Sequence, residues 1–369
     1  MKKIIGLILL VIFSIVGTGC WDQKIYERIG FDLQVGVELS SDGNLLITRA
    51  MPVIGKGATT DMDIIKTKGR LIRETRNKTR LKSPKEAEGG KVQQVLISKS
   101  LAEKGVSELL EVFEREFINP ILAYVAIVDG SPYEIIETSH KFVDKPIPPF
   151  YINELLKNGI KSGIVPECRI YNYDINCIAP GIDPMVPIIK ISSEGKEIEL
   201  AGSALFSKDK MVGKVTAAES SLLCLMSKKF KSGGIIFYTE GDGQNMKNGA
   251  SVSYEVKNNK IKVSIENNSP VVVISLNLNC ELNEYKWGSI ENAEEKEKLE
   301  RIFEKELKER CMKVLKYTQE VNSDPIGIGN IVRAKENKYW KNADWNKVYK
   351  EVQFNIEPTI KIVRSGVIK

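Results

Sequence analysis

The chain has 369 residues, enough for two or three domains, and its 42% hydrophobic and 28% charged residues are typical of an ordinary globular protein. Its formal net charge of +6 is too small to indicate a nucleic-acid partner, although it is compatible with an anionic membrane surface. One histidine and six cysteines without a Cys-x-x-Cys pair argue against a zinc site and against a disulfide framework.

The N-terminus has the pattern of a secretory signal peptide. Lys2 and Lys3 precede an apolar run over residues 4–16, which is shorter than the ~20 residues that a membrane-spanning helix needs. Small residues follow and then a cysteine, as in the bacterial lipoprotein signals that this segment resembles. That resemblance implies cleavage between Gly19 and Cys20 and acylation of the Cys20 thiol.

One departure from the lipoprotein pattern is Gly17, where a larger aliphatic residue is usual. The alternative is a simple exported protein with an unpaired Cys20. Two acyl chains would anchor the mature chain stably, because each buried methylene contributes about 0.8 kcal/mol. No Ser/Gly-rich tether follows Cys20, and Trp21 suits the headgroup level, so the sequence predicts a folded body held close to the membrane.

Beyond the signal peptide (residues 1–19), the strand and helix patterns predict a mixed α/β (α+β) protein of three domains. Each domain is expected to have a mainly antiparallel or mixed sheet with flanking helices. A linker-like stretch, "SSEGKE" at 192–197, suggests the first boundary. The predicted units are an N-terminal α/β domain (20–190), a small middle α/β domain (197–268) and a C-terminal domain of long strands and one long helix (270–369).

In the N-terminal domain, alternating apolar residues on both sides of Asp42-Gly43 predict a β-hairpin. A strand at 92–98 is followed by a helix with an apolar stripe, predicted over 100–117. The apolar run at 121–130 is typical of a buried strand, and a short helix with a Pro-rich loop is expected within 151–190.

Residues 60–83 are predicted to form a basic helix, with apolar residues such as Ile64 and Ile72 opposite a row of cations. That row consists of Arg70, Arg73, Arg76, Lys78, Arg80 and Lys82. Such a row is either a solvated helix face or a contact with anionic lipid.

The middle domain is expected to contain two strands joined by a turn at 208–210, a helix from residue 217, and further strands. In the C-terminal domain, a long strand at 271–282 alternates, and a helix begins at a capping box formed by Asn292 and Glu295. The residues predicted to be buried on that helix are Leu299, Ile302, Phe303, Leu307, Cys311, Val314 and Leu315.

The final strand pattern, at 351–363, contains Pro358. Proline cannot donate a hydrogen bond to a sheet, so this strand is predicted at an edge or at a bulge. The apolar side chains expected to share one of its faces are Val352, Phe354, Ile356, Ile360 and Ile362.

The sequence contains no recognisable catalytic, metal-binding or cofactor-binding set. His140 is the one histidine, and no nucleophile-elbow sequence accompanies it. The "GIGN" at 327–330 is a weak match to a nucleotide loop, and the acidic Gly-rich stretch at 239–245 is most simply a turn. Cys280 and Cys311 are expected to be small buried hydrophobes, whereas a Cys168–Cys177 bridge stays open.

Five stretches, in order along the chain, resemble the C-subunit lipoproteins of spore germinant receptors, the Ger(x)C (GerC) family. They are "GCWD" (19–22), "VLISKSLAEKGVSELLEVFEREF" (95–117), "GSALFSKDKMVGKVTAAES" (202–220), "SDPIGIG" (323–329) and "YWKNADWNKVYKEVQFNIEPTIKIVRSG" (339–366). Within the third, the residues that fit the family pattern are Gly202, Phe206, Lys208, Met211, Val212, Gly213 and Glu219. Glu116, Ile326 and Ile328 depart from it.

The resemblance implies a subunit of a membrane complex that responds to nutrients when a dormant spore germinates. Its partners would be a polytopic A subunit and a transporter-like B subunit, with membrane lipid held through the acylated Cys20. It further implies a location on the outer face of the spore inner membrane and no known enzymatic activity. Two other hypotheses are a solute-binding lipoprotein that captures the nutrient itself and a cell-wall lytic enzyme.

Overall fold

The computed structural model describes residues 4–6, 28–53, 60–115, 120–227, 230–238, 249–285 and 292–365. Within these residues the strands form an eight-stranded sheet, a four-stranded sheet and a two-stranded parallel pair. The pair consists of β1 (Ile29–Phe31) and β5 (Glu86–Glu88). Because helices flank both larger sheets, the mixed α/β class predicted from the sequence is confirmed.

The eight-stranded sheet is parallel at its centre and antiparallel at both edges. In spatial order its strands are β10 (Lys210–Thr216), β9 (Ile198–Ser207), β8 (Met185–Ile191), β7 (Tyr124–Val128), β6 (Gln94–Ser98), β2 (Gln34–Leu39), β3 (Leu45–Pro52) and β4 (Met62–Gly69). Strands β2, β6, β7 and β8 run parallel, as expected for strands covered on both faces. The predicted hairpin is confirmed, with Gly43 at φ +80° in the turn between β2 and β3.

Helices cover both faces of this sheet. One face carries α1 (Ile72–Arg80), α2 (Lys99–Ala102), α3 (Ser107–Arg115) and α6 (Ile170–Ile178), and the other carries α4 (Pro132–His140) and α5 (Pro148–Lys161). Successive side chains of a strand point to opposite faces, so on β7 Val125 and Ile127 join one core while Ala126 and Val128 join the other. The buried strand predicted within 121–130 is confirmed for residues 124–128, whereas Ile121 and Leu122 precede β7 and are exposed.

The four-stranded sheet is built from long strands and is covered by helices on one face. Its order is β11 (Ser232–Tyr238), β12 (Gly249–Glu266), β13 (Ser269–Tyr285) and β14 (Gln353–Ser365). On β13 every second residue is buried, namely Val272, Ile274, Leu276, Leu278, Cys280 and Leu282. Strand β14 lies outermost and pairs in parallel with β13, which confirms the edge position predicted from Pro358.

Helices α7 (Ala217–Met226) and α8 (Ala293–Glu320) pack on the covered face, and shorter helices follow. These are α9 (Ile328–Lys335), α10 (Asn337–Trp340) and α11 (Trp345–Val348). The predicted start of α8 is confirmed, because the Asn292 side chain accepts a hydrogen bond from the Glu295 N–H at 2.9 Å. The prediction that Ile302 is buried is wrong, because its side chain is 41% exposed. The next residue, Phe303, faces the core, and Ile302 lies toward the solvent side of the helix.

Two predicted helices are shorter than expected. The single helix over 60–83 is wrong, because residues 62–69 form β4, whose β-branched side chains extend the sheet next to β3. The helix over 100–117 is interrupted at Gly105, whose φ of +122° separates α2 from α3.

The predicted linker at 192–197 is instead a tight hairpin turn. The Ser192 N–H donates to the Glu197 carbonyl at 2.8 Å, and strands β8 and β9 on either side pair within one sheet. A second turn, at Asn267 and Asn268, joins the paired strands β12 and β13. The division into three domains stays a prediction, and hydrogen-bonded strands cross both of its internal boundaries.

Candidate functional site

The predicted acylation site Cys20, the preceding Gly19 of the predicted cleavage site and the membrane-proximal Trp21 lie outside the described residues. Lipid attachment and signal cleavage therefore stay predictions. The described residues resume at Arg28, which β1 follows directly. Among the described helices, none combines the length and the apolar character that crossing a bilayer requires.

The groups that could carry chemistry are dispersed in the part of the chain that the structure describes. The His140 ring lies 3.6 Å from Asp61 and 3.5 Å from the Thr60 hydroxyl, on an exposed corner. No cluster of three His, Cys, Asp or Glu side chains among the described residues could hold a metal ion. Burial raises the pKa of Cys280 and of Cys311 to about 12, so neither thiol is poised as a nucleophile at neutral pH.

The Cys168–Cys177 bridge is absent from the structure, in which the cysteines of the described ranges are all buried thiols. The Cys177 sulfur lies 3.3 Å from the Ser107 hydroxyl oxygen. Burial also raises the pKa of the Cys177 thiol, which lowers its reactivity. Cys280 and Cys311, both fully buried in the core of the four-stranded sheet, confirm the prediction that they act as small hydrophobes.

The most organised polar site is built around the buried carboxylate of Asp324. One of its oxygens accepts the N–H groups of Gly327 and Ile328, each at 2.9 Å, and the other accepts the Gly329 N–H at 2.8 Å. These are the first N–H groups of α9, which a helix cannot satisfy itself. The N–H groups of residues 327–329 in the "GIGN" loop are therefore already bonded to the carboxylate of Asp324. This argues against binding of a nucleotide phosphate there.

The pKa of the Asp324 carboxyl group lies above that of an ordinary aspartate. The side chain is fully buried, and this burial raises its pKa from 3.8 to about 7, although the three N–H donors act to lower it. The nearby Asp183 carboxylate also raises the Asp324 pKa. The Trp345 indole N–H, 3.3 Å away, gives the carboxylate a fourth donor.

Asp183 connects this site to the eight-stranded sheet. One Asp183 oxygen accepts the Asp324 N–H and the other accepts the Lys208 N–H, both at 2.9 Å. In return the Asp183 N–H donates to the Asp324 carbonyl at 2.9 Å. Lys208 lies in the β9–β10 turn, so one carboxylate holds loops from the two large sheets together.

The same loops meet backbone to backbone at two glycines. The Gly181 carbonyl accepts the Asn330 N–H at 2.8 Å, and a Cβ atom at Gly181 would lie 2.4 Å from that nitrogen. A Cβ atom at Gly329 would lie 2.5 Å from the Trp345 indole nitrogen. We call the contact of Gly181, Asp183, Asp324, residues 327–330 and Trp345 the Asp324 junction.

Sequence reasoning singled out the stretch 323–329 but missed its partner loop. The one available signal was that the same Asp-Pro dipeptide occurs in both loops, at Asp183-Pro184 and Asp324-Pro325. Nothing in the sequence places residues 141 positions apart in contact.

Several residues that carry the family resemblance have structural roles. Gly202 adopts φ +128°, and a Cβ atom there would lie 2.0 Å from the Val215 carbonyl oxygen. Glu219 completes a capping box with Thr216 at the start of α7. Phe206 packs edge-on against Tyr173, with ring centroids 5.4 Å apart. These positions therefore support the fold rather than a reaction.

An open cleft of about 870 Å³ lies on the other side of the eight-stranded sheet. It is bounded by the α4–α5 connection, including Phe142 and Lys145, and by the 192–197 turn. Its lining mixes polar side chains with the apolar Phe142 and Val143, and it lies at the rim of one sheet instead of between two lobes. Its volume would admit a small molecule.

Comparison with known proteins places nearly the whole chain in one context. Residues 22–191 match the family model "Spore germination protein N-terminal domain". Residues 201–366 match the family model "Spore germination B3/ GerAC like, C-terminal". The first match ends at the last residue of β8, and the second begins within β9.

Two individual relatives are similar to this chain over nearly the full length of both sequences. The spore germination protein GerQC of Bacillus cereus is 26% identical over 364 residues, covering 98% of each chain. The putative spore germination protein YfkR of Bacillus subtilis (strain 168) is 22% identical over 398 residues, covering all of this chain and 98% of its own. The crystal structure of the GerBC protein has a similar fold, with a TM-score of 0.56 and 20% identity over 92% of this chain and 100% of that one.

Proposed function

The chain belongs to the germinant receptor C-subunit family of spore germination proteins, and from this we propose that it is the lipid-anchored C subunit of a nutrient germinant receptor. The family implies association with the spore inner membrane and with other receptor subunits. In the proposal, cleavage after Gly19 exposes Cys20, which is acylated and holds the protein on the outer face of that membrane.

The observation that carries the anchoring proposal is the short interval between the predicted lipid and the folded body. Only eight residues, 21–28, lie between Cys20 and Ile29, where β1 begins. An extended chain of that length reaches about 30 Å at most. The folded body is therefore confined to a thin layer, which raises its effective concentration toward membrane partners without any further contact.

The proposed role is to bind partner subunits, an A and a B membrane subunit, and not to catalyse a reaction. Its support is that the ionisable groups of the most organised polar site are used within the fold: Asp324 caps a helix, and Asp183 joins two loops. The alternative, capture of the nutrient itself, would use the cleft beside Phe142 and Lys145. Calorimetry of the purified protein with amino acids and sugars tests that alternative directly.

The anchoring proposal is tested by replacing the predicted acylation site. The Cys20→Ala variant should fold normally, incorporate no labelled palmitate, leave the membrane fraction and lower nutrient-triggered germination. Thr18→Ala, which keeps a small residue before the cleavage site, is the matched control and should behave as wild type. Full germination with a soluble Cys20→Ala protein at normal abundance would contradict the proposal.

A further inference from the structure

The positive charge of the chain is concentrated in one segment. Residues 66–85 contain nine Lys and Arg side chains and one acidic residue, Glu74, for a net charge of +8. The entire chain has a net charge of +6, so the remaining residues together are slightly negative. In the structure this segment comprises the end of β4, all of α1 and the turn after it.

Helix α1 presents two leucines to solvent among these cations. Its Thr75 and Thr79 side chains face the protein, whereas Leu71 and Leu81, at its two ends, are 67% and 87% exposed. With a rise of 1.5 Å per residue, these leucines lie about 15 Å apart along the helix. We define the basic α1 face as Arg70, Leu71, Arg73, Asn77, Arg80, Leu81 and Lys82, all exposed.

Local contacts hold the long side chains around this face in place. The Lys78 ammonium donates to the Lys68 carbonyl at 2.8 Å and pairs with Glu74 at 2.6 Å. The Lys82 ammonium donates to the Lys66 carbonyl, also at 2.8 Å. A carbonyl brings no opposite charge, so the two carbonyl contacts order these side chains without neutralising them, and Glu74 offsets the charge of Lys78 alone.

The basic α1 face lies close to the point where the chain enters the folded body. The Arg80 guanidinium pairs with Glu86 of β5 at 2.8 Å, and Glu86 lies opposite Ile29 in the β1–β5 pair. The first strand after the predicted anchor, β1, is thus linked to α1 through β5. This step rests on the proposed function, because only an acylated Cys20 would place that strand near the bilayer.

A second exposed apolar stripe, on α6, differs from the basic α1 face in the charge of its surroundings. On α6 the residues Tyr171, Ile175 and Ile178 share one face by helical spacing, and the last two are 59% and 72% exposed. Its neighbourhood is acidic: the Asp174 charge raises the pKa of Glu114 on the adjoining α3, after burial itself. An anionic surface would be repelled there, whereas it is attracted to the basic α1 face.

We propose that the basic α1 face lies on the anionic phospholipid surface of the membrane, with Leu71 and Leu81 inserted at the headgroup boundary and the surrounding Arg and Lys side chains on lipid phosphates. Exposed apolar side chains flanked by cations are the features by which interfacial helices bind anionic bilayers. Such a contact orients the body at the membrane, which a lipid attached at Cys20 alone does not do.

The test follows a fluorophore at the centre of the face. The predicted mature chain, residues 20–369, carries Cys20→Ala, so that neither an acyl group nor the apolar signal segment contributes, and Asn77→Cys labelled with the environment-sensitive dye NBD; the other cysteines are buried thiols. It is titrated with vesicles of phosphatidylcholine, or of roughly equal parts of phosphatidylcholine and phosphatidylglycerol. We expect brighter, blue-shifted emission with the anionic vesicles, weakened by high salt, and a much smaller change with the neutral ones.

Two pairs of variants separate charge from insertion. Arg70→Glu with Lys82→Glu should lower the ratio of anionic to neutral partitioning roughly tenfold, whereas Lys298→Glu with Lys305→Glu, an equal charge change on exposed sites of α8, should leave it near wild type. Leu71→Ser with Leu81→Ser should lower partitioning to both vesicle types, and Ile175→Ser with Ile178→Ser on α6 should not. All four positions altered on the basic α1 face are exposed, so the circular dichroism spectra of the variants should match that of the wild type.

Equal partitioning to the two vesicle types, or an anionic preference that survives Arg70→Glu with Lys82→Glu, would overturn the proposal. The proposed function is tested separately, by palmitate labelling of the chain with Cys20 intact. Labelled protein whose unacylated form shows no anionic preference would remove the surface and leave the anchor standing. An anionic preference in a chain that is never acylated would do the reverse.

Discussion

The two large sheets are stabilised in different ways because one is covered on both faces and the other on one. The eight-stranded sheet buries polar pairs: the Arg49 guanidinium of β3 pairs with Asp32, and the Gln34 amide of β2 donates to Gln94 of β6 at 3.0 Å. The covered face of the four-stranded sheet is lined by apolar side chains and thiols, and its opposite face meets solvent. The first sheet therefore depends on matched polar partners, and the second depends on filled volume.

This difference decides which substitutions are costly. A charge taken out of water must keep its partner, whereas an apolar core loses stability in proportion to the volume removed. Four experiments separate the two regimes and probe the Asp324 junction between them.

The largest effect is expected from Arg49→Ala in the eight-stranded sheet. It leaves the fully buried Asp32 without its counterion, and burial already raises the Asp32 pKa despite Arg49. We expect a loss of about 3–5 kcal/mol in the free energy of unfolding, measured by urea denaturation. Arg115→Ala, which breaks an exposed pair with Glu111, is the control and should cost little. An Asp32→Leu/Arg49→Met protein less stable than Arg49→Ala would contradict this account.

In the four-stranded sheet the matching experiment removes volume. Phe303 is fully buried and stacks on Phe237, with ring centroids 4.3 Å apart. Phe303→Ala should lower the free energy of unfolding by about 3–5 kcal/mol. The neighbouring Ile302→Ala, at a position 41% exposed, should change it far less. Similar losses for the two variants would show that α8 does not pack by this face.

An intermediate effect is expected at the Asp324 junction. Gly181→Ala would place a Cβ atom 2.4 Å from the Asn330 nitrogen, so the two loops must move apart. We expect a loss of about 1–3 kcal/mol, read by denaturation together with hydrogen exchange of both sheets. Gly234→Ala is the control, since the nearest atom to its Cβ would be 3.8 Å away. Unchanged stability in Gly181→Ala would remove the junction as a tight contact.

The fourth effect is a slope of stability against pH rather than a loss at a single pH. The folded pKa of Asp324, about 7, lies above its ordinary value of 3.8, so the folded state binds more protons between these values. This contribution is fully present below pH 4 and is lost as pH rises through 7, at a slope of at most about 1.4 kcal/mol per pH unit for one proton.

The Asp324→Asn variant lacks that titration, so urea midpoints of wild type and variant should diverge in this pH range. Burial raises the pKa of Asp32 too, but that contribution is common to both proteins and cancels in the difference. Parallel pH profiles for wild type and Asp324→Asn would show that Asp324 does not titrate there.

The sequence by itself determined features whose information is local. The alternation of β13, the start of α8 at Asn292 and all but one of the buried residues of α8 follow from periods of two and 3.6 residues along the chain. The family was also determined, because its motifs are read in order along the chain. The N-terminal lipoprotein pattern is local as well, and its consequence at Cys20 stays a prediction.

Only the tertiary structure decided the features that depend on distant partners. Residues 62–69 read as part of a helix until β3 lies beside them, because a short apolar and basic stretch suits either element. Asp183 and Asp324 look like loop residues, yet they meet across 141 positions and join the two sheets. The exposure of Leu71 and Leu81 depends on how α1 packs against its sheet, so the sequence alone does not reveal it. Burial and pairing are set by long-range packing, whereas local periodicity reports only which residues share a face.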